Sequence, residues 1–282
     1  IDTSGRPSET AIAVARGLLV ASQTPATRFL VSPRTVELTG RLLALPLLLW
    51  LCRQGWFRWI ARRIEQRTVP HIFAHYAARK ATIEKEVHKA ISAGYQQVVV
   101  IGGGFDTLAI RLKEEMPELT VVEIDHPSTQ DVKKSRVPKT TVHFIAADLR
   151  PQSVSRTLEG SEFRADLQAI FVIEGILMYL EETDVRLLFE DLLGGPRRVV
   201  FTAMNLDSVG RPGFKHQSKA LHKWLERRGE PFLWGCPPET MGEFLSSCKF
   251  DLIQTFDHSV MRQLLEVSAE LAEGEVVYVA EG

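Results

Sequence analysis

Short runs of β-branched and aromatic residues alternate with helical stretches through the middle of this chain, and that alternation limits the folds open to it. The runs are QVVVI at 97–101, LTVVEI at 119–124, TVHFIA at 141–146, QAIFVI at 168–173 and RVVFTA at 198–203. Helix-period stretches or loops at 107–116, 127–137, 151–160 and 182–193 separate them. A strand that is apolar throughout is buried on both faces, and strands that alternate with helices build a parallel sheet covered on both sides. After Asn205 a Gly/Pro-punctuated region leads to a helix at 215–228. Two further strands, near 250–256 and 275–280, flank a helix at 259–272. Upstream, residues 8–94 read as helical nearly throughout. SETAIAVARGLLVAS at 8–22 repeats apolar residues at helical spacing, and YAARKATIEKEVHKAISAG at 76–94 closes on a glycine cap. The periodicity therefore predicts an α/β fold with a helical N-terminal extension. It divides into a cap over residues 1–90 and a core over 91–282, with a substrate-pocket insert around 205–240.

With 282 residues, 45% of them hydrophobic, the chain can bury one substantial core, or a core plus a cap. A formal charge of −1 provides no global field for nucleic acid. Cys52, Cys236 and Cys248 form neither a paired metal spacing nor an even disulfide set, and no secretory leader is readable. A reducing, cytoplasmic setting is expected. One stretch, RLLALPLLLWLCRQGWFRWIARRIEQR at 41–67, raises the question of a membrane. Its apolar run from Leu42 to Cys52 is about half of the roughly 20 residues that a spanning helix needs. Arginines 41, 53, 58, 62, 63 and 67 against Glu65 leave a local charge of +5, interleaved with Trp50, Trp56, Phe57 and Trp59. Such a segment either lies on an anionic membrane surface as an amphipathic helix or forms a helical pair, interrupted near Pro46 and Gly55, that packs on the core or roofs a pocket.

The first strand ends in IGGGFDT, residues 101–107. Glycines at the carboxyl end of a strand give a tight turn and let a ligand approach the backbone. In an open parallel sheet, that is where ligands bind. The next strand ends in VVEID, so Glu123 and Asp125 fall 21 and 23 residues beyond Gly102. An acid at that distance suits the two hydroxyls of a ribose. In the dinucleotide fingerprint a third glycine stands where this chain has Thr107, and here Asp106 lies inside the turn. An acid there opposes a pyrophosphate and suits a ligand that carries an amine and a sulfonium, S-adenosyl-L-methionine. A nicotinamide-dependent oxidoreductase is the alternative from the same fold class. Each residue also has a plainer reading: Asp106 as the N-cap of the helix at Thr107, Asp148 as turn chemistry in ADLRP, Arg79 as a surface arginine. Glu174, at the end of an apolar strand, requires a partner. His71 and His75 stand four apart, a metal-pair spacing, but no third ligand accompanies them and packing is the better reading, so no metal site is expected.

VVVIGGGFDTLAIRL, VVEIDHPSTQDVKK, FIAADL and FVIEGILMYL resemble, in order and spacing, the motifs of the leucine carboxyl methyltransferase family, which includes protein-phosphatase carboxyl methyltransferases and bacterial polyketide O-methyltransferases. SETAIAVARGLLVAS, HYAARK and EPFLWGCPPETMGEFLSSCKF are similar to further family segments, so the resemblance runs from about residue 8 to 282. It implies the class I S-adenosyl-L-methionine-dependent methyltransferase fold: Rossmann-like, with a mostly parallel seven-stranded sheet, helices on both faces and a helical cap. It also implies roles by position. Arg79 matches the residue that holds the cofactor's methionine carboxylate. Gly102, with Gly104 beside it in the turn, matches the glycine beneath the methionine moiety. Asp125 matches the ribose-binding acid, with Glu123 as its neighbour. Asp148 and Leu149 match the adenine pair, and Glu174 the acid below the cofactor. The chain departs from the pattern at Ser32, where family members often carry an aspartate before the proline, and in the long apolar insert at 42–59.

Methyl transfer is an in-line displacement, so the enzyme's work is alignment and the exclusion of water. A carboxylate acceptor needs no base, whereas a phenol or alcohol does. Glu174 and Tyr179 are the catalytic candidates, with His216 and His222 as other possible bases and Arg211 or Lys215 as receivers of an acidic substrate. The greasy cap points to a hydrophobic small-molecule acceptor of the specialised-metabolite or polyketide kind. A rival from another class is a binding or scaffolding module that keeps the cofactor fold and docks through residues 41–67.

Overall fold

The computed structural model describes residues 8–44, 46–148, 153–192 and 194–282. Its strands are β1 Gln97–Ile101, β2 Thr120–Asp125, β3 His143–Ala146, β4 Ala169–Ile173, β5 Arg197–Met204, β6 Asp251–Phe256 and β7 Glu275–Glu281. They form one sheet in the order β3-β2-β1-β4-β5-β7-β6. The first five strands are parallel to one another, while β7 runs antiparallel between β5 and β6. The helices before the sheet are α1 Glu9–Ala21, α2 Pro33–Leu43, α3 Pro46–Arg53, α4 Gly55–Thr68 and α5 Ile72–Ser92. Those within it are α6 Leu108–Glu115, α7 Pro127–Arg136, α8 Val154–Leu158, α9 Glu182–Asp191, α10 Lys219–Arg227, α11 Pro238–Ser247 and α12 His258–Leu264.

The lack of polar alternation in β1 and β4 follows from burial on both faces. Val98 and Val100 of β1 pack with Ala78, Ile83 and Val87 of α5 and Ile110 of α6. Val99 and Ile101 face the other way, into a cluster with Val185 and Phe189 of α9 and Leu245 of α11. Helix α5 thus belongs to the same apolar core as the sheet. The long helical stretch upstream is broken by backbone that a helix cannot accommodate: Ala44 is left-handed at φ 50° and ends α2, and His71 at φ 64° precedes α5. The serine that departs from the family pattern caps α2. Ser32 Oγ accepts from the Thr35 amide at 3.1 Å, and Pro33 opens α2.

Two helices differ from expectation. The helix expected at 259–272 ends at Leu264, and Glu266 at φ 52° turns the chain away. The span 151–160, read as helix or loop, holds the short α8, and residues 149–152 lie outside the described ones. Helix α11 was not foreseen, although Pro238 at its start, Glu239 in its first turn and buried Met241, Phe244 and Leu245 are ordinary helix signals.

Phe189 makes edge-on contacts with Phe201 at 5.1 Å and Phe250 at 5.5 Å between ring centres. Phe189→Ala is expected to lower the unfolding free energy by about 3–5 kcal/mol through lost contact and a residual cavity. Urea titration with an unchanged slope checks this, and a loss below about 1 kcal/mol would mean that the cluster closes over the gap.

Candidate functional site

Register builds the site. Ile101 pairs with Ile124 on one side and with Ile173 on the other, so the next residues, Gly102, Asp125 and Glu174, stand level at the carboxyl ends of three adjacent strands. The strand order reverses between β1 and β4, the place where open α/β sheets form their ligand crevice. A cleft opens there, lined from the sheet side by the glycine turn, Asp125 and Glu174, and from above by Ala11, Val14 and Leu18 of α1.

The turn needs its glycines. Gly102 sits at φ +65°, and a Cβ on it would fall 1.6 Å from Ile176 Cδ1. A Cβ on Gly103 would fall 2.6 Å from the Glu123 carboxyl carbon. Gly104, also left-handed at φ +51°, donates its amide to Asp125 Oδ2 at 2.6 Å, and the His126 amide donates to Oδ1 at 2.6 Å. Two backbone donors thus aim the carboxylate, and its remaining lone pairs are left for a ligand. Burial pushes the Asp125 carboxyl up, against the pull of the His126 amide and of Lys133.

Helix α5 presents two consecutive cations to this edge. Arg79, only 4% exposed, donates from Nε to Glu174 Oε1 at 2.8 Å and from Nη1 to Glu275 Oε2 at 2.5 Å. Lys80 Nζ lies 3.1 Å from Glu174 and 3.2 Å from Asp106 Oδ1. Burial opposes both charges, but Glu275 and Glu174 hold Arg79 protonated, and Asp106 and Glu174 do the same for Lys80. Burial would also raise Asp106, yet Lys80, Lys133 and Arg111 bring it down to about 2, and its Oδ1 accepts the Thr107 amide at 2.6 Å. The carboxylates on the described lining are Asp106, Asp125, Glu174 and Glu230, and the cations are Arg79 and Lys80, a formal excess of two negative charges.

Arg79, Gly102, Gly104, Asp106, Asp125, Glu174 and Tyr179 therefore come together around one cleft. Glu123 does not. It lies beneath Gly103, 1% exposed and 2.7 Å from Lys133, and burial pushes it up to about 7 against the pull of that lysine. Both side chains point to the same face of β2, and depth along the strand separates them: Asp125 stands at the strand end on the cleft, while Glu123, two residues earlier, is covered by Gly103 of the turn. Asp148 stands two residues past β3, half-buried, and Leu149 lies outside the described residues. His75 is buried with Nε2 3.2 Å from Glu275, and burial lowers its pKa; His71 faces Glu270 at 3.2 Å. His216 and His222 are exposed on the insert, as are Arg211, beside Asp207, and Lys215, beside Glu273.

Three site residues were not read from the sequence. Lys80 follows Arg79 directly in AARK, and the adjacent cation was the available signal. Thr10 donates its hydroxyl to Glu230, which is 3% exposed and lines the cleft near Tyr179. Glu230 opens EPFLWG, but no local pattern sends it back over the sheet, 220 residues from its partner.

The Glu275 carboxyl is held down to about 2 from an ordinary 4.5: burial would raise it, but Arg79 and His75 more than offset that. A depressed carboxylate contributes stability that is complete above its unfolded pKa and is lost as pH falls through the folded one. Unfolding free energy should fall by about 3 kcal/mol on this group's account between pH 4.5 and pH 2. Urea midpoints across that range check it, and Glu275→Gln should show a shallower acid limb.

A Bacillus subtilis (strain 168) protein provisionally named an S-adenosyl-L-methionine-dependent methyltransferase is 28% identical over 163 residues, 55% of this chain and 53% of that one. A similarly named Mycobacterium tuberculosis (strain ATCC 25618 / H37Rv) protein is 32% identical over 136 residues, 45% of this chain and 44% of that one. The chain spans about half the length of the curated relatives it matches. A solved structure from Thermobifida fusca, provisionally described as a methyltransferase, superposes with a TM-score of 0.58 at 15% identity, covering 91% of this chain and 97% of that one, a likeness of fold. The sequence profile described as leucine carboxyl methyltransferase matches residues 23–193, more than half of the chain and the whole stretch from α2 to the end of α9, and the chain belongs to that family.

Proposed function

We propose that this chain is an S-adenosyl-L-methionine-dependent O-methyltransferase acting on a hydrophobic small molecule. The observation that carries the reading is the charge of the cleft: four acids against two cations around a glycine turn whose backbone a ligand can approach. A pyrophosphate would meet this excess of negative charge at short range, which counts against a nicotinamide dinucleotide. A ligand with a sulfonium, an ammonium and one carboxylate fits it. Arg79 and Lys80 would hold the carboxylate, because Arg79 keeps a proton on each terminal nitrogen beyond those donated to Glu174 and Glu275. Glu174 and Asp106 would accept from the amine, and Asp125 from the ribose hydroxyls. Asp148, with Leu149, would receive the adenine. When bound, S-adenosyl-L-methionine supplies an electrophilic methyl group.

In this reading the helices ahead of α5 form the cap, α5 itself, within the 1–90 span expected for it, belongs to the core, and the 205–240 insert completes the acceptor end. Tyr179 lines the cleft and is backed by the Phe232 ring at 5.8 Å, which in turn meets Phe214, so the aromatic side of the cleft suits an aromatic or lipid-like acceptor. Burial and the neighbouring Glu230 push the Tyr179 phenol well up, so it donates a hydrogen bond rather than removing a proton. Glu230 is the better base, and an acid at this end favours a hydroxyl over a carboxylate acceptor. A reducing cytoplasm suits the three buried, free thiols.

Calorimetric titration should give micromolar binding of S-adenosyl-L-methionine and S-adenosylhomocysteine and none of NADH; NADH binding alone would overturn the reading. Asp125→Ala should weaken cofactor binding by roughly 1–3 kcal/mol, or about five- to 150-fold. Glu174→Ala should abolish turnover and weaken binding. Glu230→Gln should lose turnover with the cofactor affinity unchanged, and full activity in that variant would restore the carboxylate acceptor. Tight cofactor binding without turnover on any phenol, alcohol or acid would favour the scaffolding module.

A further inference from the structure

We infer that the outer face of α3 and α4 docks onto an anionic lipid surface. Helix α4 carries two apolar stripes. Phe57 and Ala61 turn inward and pack against the cluster of Leu42, Leu43 and Cys52. Trp56, Trp59, Ile60 and Ile64 turn outward and are 57%, 59%, 41% and 58% exposed, joined by Leu47 and Trp50 of α3 at 64% and 54%. Half of the large exposed apolar side chains of the described residues lie on this short segment. Packing explains the inner stripe and leaves the outer one unpartnered.

The charges identify the partner. Arg53, Arg62, Arg63 and Arg67 are exposed, and among the described residues none has a carboxylate within ion-pairing distance. Arg41 is engaged by Glu37 at 2.7 Å. The one acid of the segment, Glu65, is 7% exposed and turned inward, where its Oε1 accepts the Phe73 amide at 2.9 Å. Every charge on the outward face is therefore positive. Arg63 lies over the Trp59 ring at 4.9 Å, which keeps a cation beside an amphipathic aromatic. A second copy of the same face would set arginines against arginines. Anionic headgroups over an acyl boundary satisfy both features, because arginines pair with phosphate while the tryptophans and isoleucines enter the interface. No described helix is long and apolar enough to cross a membrane, so the contact is peripheral.

The test is flotation of the full chain with vesicles of phosphatidylcholine alone or mixed with phosphatidylglycerol, with tryptophan emission as a second reading. The chain should float with the mixed vesicles, shift its emission to the blue, and release as salt rises. It should stay behind with phosphatidylcholine alone. Trp56→Ser with Trp59→Ser, and separately Arg62→Glu with Arg63→Glu, should each lower partitioning by about tenfold or more while leaving the thermal midpoint and any methyl transfer in solution unchanged. Failure to float with the mixed vesicles, equal floating of the variants, or a self-associated form in sedimentation that the tryptophan variant removes would each overturn the proposal.

Discussion

The guanidinium of Arg79, sealed from water between Glu174 and Glu275, is the interaction on which the rest of this structure turns. It joins α5 to the end of β4 and the start of β7, three elements that meet only in the folded chain. Glu275 reaches the carboxyl edge of the sheet because β7 runs antiparallel and pairs its first residue with Met204, the last of β5. His75, one turn earlier on the same helix, meets the same carboxylate. Removing water from such ions is expensive and is offset by these pairings, which leave, among the described residues, Glu275 Oε1 and His75 Nδ1 as the buried atoms of the cluster without a hydrogen-bond partner.

The same pairing of charge continues along the cleft. Lys80 draws Asp106 and Glu174 together, the Gly104 and His126 amides aim Asp125, and the three glycines remove the side chains that would fill the gap. Helix α1 lies over the turn, with Ala11 near Gly104 and Thr10 tied to Glu230. Under the proposed function such a surround would leave a bound ligand little freedom to lose, as alignment of two reactants demands. The neighbouring α3–α4 pair is built differently: its inner stripe serves the core, and its outer stripe is free to meet something other than this chain.

Much of this is legible in the sequence. The strands were legible because burial on both faces leaves an apolar run, and the glycine turn because its backbone geometry excludes other residues. Arg79, Asp125 and Glu174 were legible through motifs that keep their spacing. Glu123 and Asp125 were indistinguishable by spacing, and only the covering of Glu123 by Gly103 and Lys133 separates them. Helix α11 escaped because EPFLWGCPPETMGEFLSSCKF, the stretch that holds it, is read for its likeness to a family segment and not for its helical period. Glu230 and Thr10 escaped because their contact spans nearly the whole chain.

The sequence by itself determined the α/β class, the seven strands, the glycine turn and the acid that follows the second strand, since each is a local consequence of periodicity or of backbone geometry. It also determined that residues 41–67 are both greasy and basic, without saying which side of the helix faces outward. Tertiary structure alone decided that Gly102, Asp125 and Glu174 stand level, that Arg79 is shared by two carboxylates, and that Glu65 turns inward while the tryptophans turn out. Strand register, helix rotation and the pairing of distant charges arise from burying the whole chain at once, and no window of the sequence contains that sum.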